Sequence, residues 1–392
     1  MHFSSRRDLL RAALPSALAL GHALGLGPGG RLLRPASAED RPRRASENDR
    51  LRRMRRTAIE RGCAFLAGKV RTDGGFGDNK AVVALTALSV LALQAGGSTD
   101  GRGPHGVQVH RGLTFLLNLL KLSGSGQHRP EGYFHYPHDS DSKMHGQGYA
   151  SLALATALGA ADQNRALEMR AALVKAVRCM ETSQNATGGY GYDPTPTSNH
   201  EGSVTVCVAQ ALRAARDCGL LVSEKTVKRG LAYLHRSQNR SIAPDGSDAP
   251  GDGGFRYSES HDKHSYALTA AAISSFFLFG KYQDDADRTI ERGLKYMLRQ
   301  LERREDEGDW YYYGHFYGAW AFWQKDGGDW SETSWWSRWT RRVMPELIEL
   351  KQQGDGSWND SGGRYYYGPV LATAFAVLTL AIPDEALPIF QR

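Results

Sequence analysis

The chain has 392 residues, 41% of them apolar and 23% charged, a balance that excludes disorder over most of its length. Its formal charge of +7 is concentrated at the front: residues 1–38 carry a net +4, residues 39–56 another +4, and residues 57–392 a net −1. A body so near neutrality excludes a basic nucleic-acid groove, so no nucleic-acid partner is expected.

In chain order, Ser4-Ser5-Arg6-Arg7-Asp8-Leu9-Leu10 has the form of a twin-arginine export signal, followed by an Ala/Leu/Gly stretch from Ala12 to Gly30. That stretch is too Gly-rich for a spanning helix, and Ala36-Ser37-Ala38 has the small-x-small form of a cleavage site. Residues 1–38 therefore read as a signal for export to the periplasm, with no transmembrane span in the mature chain. Residues 39–56 read as an Arg-rich solvated linker, and residues 57–392 as the folded domain. Cys63, Cys179, Cys207 and Cys218 are too few and too scattered for a disulfide scaffold or a paired Cys-x-x-Cys zinc site, which makes buried thiols the expectation.

The folded part repeats. Arg-Gly-x-x-aromatic-Leu/Met occurs from Arg61, Arg111, Arg229 and Arg292, and each carrier helix is followed by a Gly-rich turn and an aromatic. The turn aromatics Phe76, Tyr133, Tyr190, Phe255, Trp310 and Trp358 are 57, 57, 65, 55 and 48 residues apart, which defines six units. In each unit the first helix is amphipathic, as in Val107 to Leu122 and Thr289 to Leu301, and should lie outside. The second is apolar nearly all round and must be enclosed, as in Ala81 to Ala95, Tyr149 to Leu158, Ala267 to Phe279 and Val370 to Ala381. Strand periodicity is nearly absent. The last inner helix is as apolar as the middle ones, which conflicts with an open array but suits a closed one. The expected fold is all-α, an (α/α)6 toroid.

These motifs carry a resemblance. Gln352-Gln353-Gly354-Asp355-Gly356-Ser357-Trp358 resembles the Gln/Trp repeat of squalene-hopene cyclases, and Gln184 to Tyr192 and Gly253-Gly254-Phe255 are similar to turns of protein prenyltransferase β subunits. The run from Tyr311 to Trp323, the segment Trp330 to Trp358 and the terminal Leu387 to Arg392 resemble exported bacterial prenyltransferase/squalene-oxidase-repeat proteins. The resemblance implies a terpenoid-cyclase-like toroid holding an isoprenoid-like or other amphiphilic ligand.

The family's catalytic motifs are incomplete. The cyclase Asp-x-Asp-Asp acid is matched only by Asp139-Ser140-Asp141-Ser142, where Asp141 would be the proton donor, and that string stands several residues before the expected helix start at Tyr149. The resemblance would make His264 a zinc ligand, but its Asp-x-Cys partner is missing, so neither a metal site nor a cofactor is expected. What the residues themselves suggest is a rim. His145, His200, His264 and His315 each follow a turn aromatic shortly before or at the start of an inner helix, so they should surround one mouth. The free N–H groups of the helix starts there would suit an anionic headgroup. Tyr311, Tyr312, Tyr313 and Tyr366 crowd the same rim, whereas Trp320 and Trp323 sit at helical spacing and read as core. Three other readings stay open: a cyclase-like isomerase using Asp141 or a rim His, a carbohydrate-active toroid pairing two of Glu131, Asp139, Glu201, Glu259 and Asp262, and an interaction module with a filled centre.

Overall fold

The computed structural model describes residues 40–391 except residues 78, 125–129, 240, 243–247, 250, 262, 280–285, 307–309 and 361–366. The export-signal segment 1–38 therefore lies outside the described residues. The chain divides into a first unit, Met1–Arg50, of which only helical residues from Asp40 are described, and a second, Leu51–Arg392.

Among the described residues there are twelve α-helices in six pairs. The outer set is α1 (Asp40–Ala67), α3 (Gly106–Lys121), α5 (Gln163–Ser183), α7 (Glu224–Arg236), α9 (Ala286–Arg303) and α11 (Trp335–Pro345, continued by a π-helical turn Glu346–Lys351). The inner set is α2 (Val82–Ala95), α4 (Lys143–Leu158), α6 (Gly202–Asp217), α8 (Tyr266–Phe279), α10 (Tyr311–Asp326) and α12 (Gly368–Ala381). Two small hairpins, β1 (Ser241–Ile242) with β2 (Asp248–Ala249) and β3 (Phe255–Arg256) with β4 (His264–Ser265), decorate the fourth unit. Each inner helix packs on the next, and α12 returns to α2. The array is closed, as the apolar last helix demands: the (α/α)6 toroid is the fold.

One hydrogen-bond scheme joins the units. In the last turn the Gln352 amide donates to the Gly356 carbonyl and to the Ala58 carbonyl of α1. Gln184 bonds Gly188 and Thr226 in the same way, and Gln238 bonds Gly253 and Thr289. These three turns are thus clamped to the outer helix that follows them, and the sixth is clamped to the first. The turn aromatic then donates its backbone N–H to an anchor on the inner helix: Phe76 to Thr86, Phe134 to Gln147, Tyr190 to Thr205, Phe255 to Thr269 and Trp358 to Thr373. Glycine is required before the aromatic. At Gly356 φ is +88°, and a Cβ would stand 2.6 Å from the Arg61 carbonyl oxygen.

Three expectations are corrected. The second-unit plug is Phe134, not Tyr133, because its position is set by two residues from the positive-φ Gly132 rather than by the first aromatic. Helix α4 begins at Lys143, six residues before Tyr149. Its polar, Gly-containing first turns look unlike a buried helix, yet Gly146 and Gly148 are what let it approach its neighbours: a Cβ on Gly148 would lie 2.7 Å from the Cys207 backbone of α6. Nor is 39–56 wholly a solvated linker. The second unit starts at Leu51, which packs on the core, and Arg55 is buried, bonding the Leu380 carbonyl and the Asp384 carboxylate.

Toward the C-terminal ends of the inner helices, the short turn Pro388–Phe390 packs against α10. Phe390 packs on Phe316 and Trp320 with ring centroids 6.0 and 5.6 Å apart, and Gln324 donates to the Phe390 carbonyl. All four cysteines are free thiols, Cys63, Cys179 and Cys207 buried and Cys218 half-buried. Burial pushes the Cys63 thiol up to about 12 and Cys179 to about 11, so neither is a reactive thiolate.

Candidate functional site

At the opposite end, where the inner helices start, a cavity of about 350 Å3 opens on the axis. That is within the range of small-molecule pockets. Every inner helix contributes to it. The residue two before each anchor lies on its wall: Ala84, His145, Ser203, Ala267 and Leu371. Deeper positions are apolar or aromatic, with Leu88, Tyr149, Tyr313 and Phe375, and Trp310, Tyr192, Tyr257 and Tyr367 stand around the mouth. The floor is closed. Tyr149 and Tyr317 hydroxyls meet at 3.2 Å, and Tyr317 donates to Gln210 Oε1 at 3.1 Å.

Of the four histidines expected on one rim, one lines the cavity. His145 is there. His200 instead turns to α7, its Nδ1 2.9 Å from the Tyr233 hydroxyl, and His264 lies against Tyr296 of α9 with Nε2 2.5 Å from Asp252 Oδ2. His315 is fully buried between α10 and α11, its Nε2 3.2 Å from Asp306 Oδ2. The reason is register. Counting from the turn aromatic makes the histidines equivalent, but the turns differ in length; counted from the inner-helix anchor, His145 is two residues before it and His200 and His264 are five before, on the extended approach to the helix. Each of those two packs against the tyrosine of an Arg-Gly-x-x-Tyr string.

The tyrosines divide likewise. Tyr313 lines the cavity, while Tyr311 donates to Glu346 Oε1 at 3.0 Å and Tyr312 to the Asn359 carbonyl at 3.3 Å. Consecutive helical residues are about 100° apart, so three in a row cannot share one face. Tyr366 lies outside the described residues; Tyr367 is in the wall. Trp320 is buried core as expected, and Trp323 is partly buried with its indole N–H donating to Glu385.

Asp141 is the one carboxylate among the described lining residues. With α4 starting at Lys143, the Asp139 to Ser142 string directly precedes an inner helix. Asp141 accepts from Ser140 Oγ at 2.7 Å and faces Lys80 Nζ at 3.4 Å, while Lys80 also lies over the Tyr367 ring. Asp139 turns away from the cavity and caps α2: its Oδ2 accepts the Val83 N–H at 2.8 Å, beside Ser142 Oγ, which accepts from Ala84. Burial pushes the Asp139 carboxyl up against these bonds.

Three of the helix starts expected to be free, those of α2, α6 and α8, are capped by side chains. Glu201 caps α6, accepting from Ser203 and Val204 N–H groups, and Ser265 Oγ accepts from Leu268 of α8. Glu201 Oε1 also accepts the Ser203 hydroxyl at 2.6 Å, and His145 Nε2 lies 2.8 Å from Ser203 Oγ and 3.4 Å from Glu201 Oε1. Burial pushes the Glu201 carboxyl up, but the contacts with His145 and Ser203 outweigh it and hold the group below the ordinary carboxylate range. The other carboxylates considered for sugar chemistry are engaged elsewhere: Glu131 with Lys175 and Glu259 with Arg236, and Asp262 lies outside the described residues. Among the described residues no three of His, Cys, Asp and Glu gather as a metal site, and no helix is long and apolar enough to cross a membrane.

Tyr192 and Tyr257 were missed by sequence reasoning although a signal existed. Each stands two residues after its turn aromatic, and their hydroxyls meet at 2.7 Å across the mouth. Tyr149 was also legible, one helical turn beyond His145 on the same face.

No family model matches the chain, and no curated protein matches its sequence. Solved structures do. The type II terpene cyclase MstE from Scytonema, in complex with its substrate geranylgeranyl dihydroxybenzoate, superposes with a TM-score of 0.50 at 18% identity, covering 86% of this chain and 99% of that one. The GH76A alpha-1,6-mannanase from Salegentibacter gives 0.57 at 10% identity, covering 84% and 99%. Cellobiose 2-epimerase from Spirochaeta thermophila gives 0.55 at 14%, covering 85% and 98%. The chain is an α/α-toroid, with the fold that a type II terpene cyclase and several sugar-active enzymes share.

Proposed function

We propose that the protein binds an isoprenoid-like or other amphiphilic molecule in the axial cavity, apolar end inward. The observation that carries the reading is the lining of the axial pocket: aliphatic and aromatic side chains one or more turns into the inner helices, such as Leu88, Tyr149, Tyr313 and Phe375, with Asp141, His145, Ser203 and the Tyr192 and Tyr257 hydroxyls at or near the helix starts. Burying apolar chain against such walls contributes about 25 cal/mol per Å2. That MstE holds a geranylgeranyl-bearing substrate supports the capacity of this fold for such a ligand. In an enzymatic version Asp141, which matches the cyclase Asp-x-Asp-Asp string only by an incomplete resemblance, is the proton donor for cyclisation. The twin-arginine-like start supports export to the periplasm, a reading tested by fractionating cells expressing wild type and the Arg6→Lys/Arg7→Lys pair.

The test of the main reading is native mass spectrometry of protein purified from its own compartment, followed by organic extraction. A recovered lipid supports it; a copurified sugar or an empty cavity that refuses prenyl probes refutes it. For the enzymatic version, turnover unchanged in Asp141→Asn removes Asp141 as the acid.

A further inference from the structure

The hydrogen-bond directions at His145 fix what kind of polar group the pocket recognises, an inference that rests on the amphiphile reading. Glu201 is a carboxylate held by the Ser203 and Val204 N–H groups, so it only accepts. The Ser203 hydroxyl has one proton, and the 2.6 Å contact with Glu201 Oε1 consumes it. The 2.8 Å contact between Ser203 Oγ and His145 Nε2 therefore needs its proton from the imidazole. Nε2 carries the hydrogen. In the neutral ring Nδ1 is then a bare acceptor, and it has no partner among the described residues.

The rest of the entrance agrees. Asp141 accepts the Ser140 hydroxyl, and the starts of α2, α6 and α8 are capped by Asp139, Ser142, Glu201 and Ser265. The two lysines nearby are committed within the protein, Lys80 to Asp141 and the Tyr367 ring, Lys143 to the Tyr192 ring. We infer that the site takes an amphiphile whose polar end donates a hydrogen bond, a primary alcohol or other hydroxyl, to Nδ1 of His145, and that it discriminates against phosphorylated and capped forms of the same chain. His145 is the recognising residue, and Glu201, through Ser203, is the positioning residue that sets its tautomer.

The experiment compares three probes with one C15 chain, farnesol, farnesyl methyl ether and farnesyl monophosphate, binding to the purified full-length protein at pH 8 and followed by quenching of intrinsic fluorescence. One neutral hydrogen bond gives farnesol an advantage of about three- to tenfold over the ether, and the monophosphate is expected to bind more weakly than the alcohol. His145→Phe, with its melting curve as a folding control, should bind farnesol and its ether equally. Ether or monophosphate binding as tightly as the alcohol to wild type overturns the inference while leaving the amphiphile reading standing. Binding by none of the three overturns the amphiphile reading itself. The tautomer is read independently of any ligand by 15N NMR of histidine-labelled protein: an unprotonated Nδ1 at His145 is expected, and a protonated Nδ1 with bare Nε2 overturns the relay, as would survival of the alcohol preference in a folded His145→Phe variant.

Discussion

Replacing Trp358 by alanine tests whether the ring is closed. The side chain is fully buried in the last turn, its indole N–H donates to the Leu347 carbonyl at 2.8 Å, and its ring lies where a Cβ on Gly62 of α1 would come within 2.8 Å of it. Truncating a buried Trp costs about 3–5 kcal/mol, and the orphaned Leu347 carbonyl falls within that range or slightly above it. At roughly 2–4 °C per kcal/mol in larger domains, the melting temperature should drop by on the order of 10 °C. The informative measurement is hydrogen exchange followed by mass spectrometry. In a ring, Leu51–Ala67 loses protection together with α12, because Trp358, Gln352 and the Arg61 contacts with Gln353 and Gly354 form one seam. In an open array only the carboxyl-terminal unit would fray, so unchanged protection of Leu51–Ala67 would refute the closure argument.

Gly148→Ala should destabilise the protein by about 1–2 kcal/mol in thermal melts, because overpacking against the Cys207 backbone outweighs the roughly 1 kcal/mol that alanine contributes in a helix; a raised melting temperature would contradict the tight α4/α6 contact. Asp306→Asn should cost about 3–5 kcal/mol near neutrality, since it leaves Arg342, 2.7 Å away, beside His315 without its carboxylate. Burial raises the Asp306 carboxyl, but His315 and Arg342 outweigh it and hold it below its ordinary 3.8, so its stabilisation is complete above that pH and fades as pH falls through the lower folded value. Denaturant melts from pH 7 to pH 3 should show the gap between wild type and variant closing only at the acid end. Glu201→Ala removes the α6 cap and should cost about 1–2 kcal/mol in the same melts while weakening farnesol binding.

Architecture was legible because it is written in period and polarity, which survive local irregularity. The helix pairs, the six units and the closed array all follow from the alternation of amphipathic and wholly apolar helices. The site was only partly legible. His145, Tyr313 and Asp141 reach the cavity, but His200, His264, Tyr311 and Tyr312 point outward, because the face a side chain presents depends on register to within one residue and the turns vary in length. The start of α4 was obscured for a related reason: Gly146 and Gly148 lower helix propensity locally, and only the proximity of Val83 and Cys207 explains why they belong in a helix. The cap on α2 was hidden because Asp139 and Ser142 serve a helix other than the one they precede.

The seam has a consequence for synthesis. The partners that seat α1, Gln352, Trp358 and Asp384, lie some three hundred residues downstream of Arg55 and Ala58. Before those residues emerge, α1 can rest on α2 through Cys63 and Ala92, but its Arg55–Ala58–Gly62 face has no partner, and sequence separation of that order slows the final step. That flank of the nascent polypeptide must therefore wait uncovered until residues 352–384 are free to lock it.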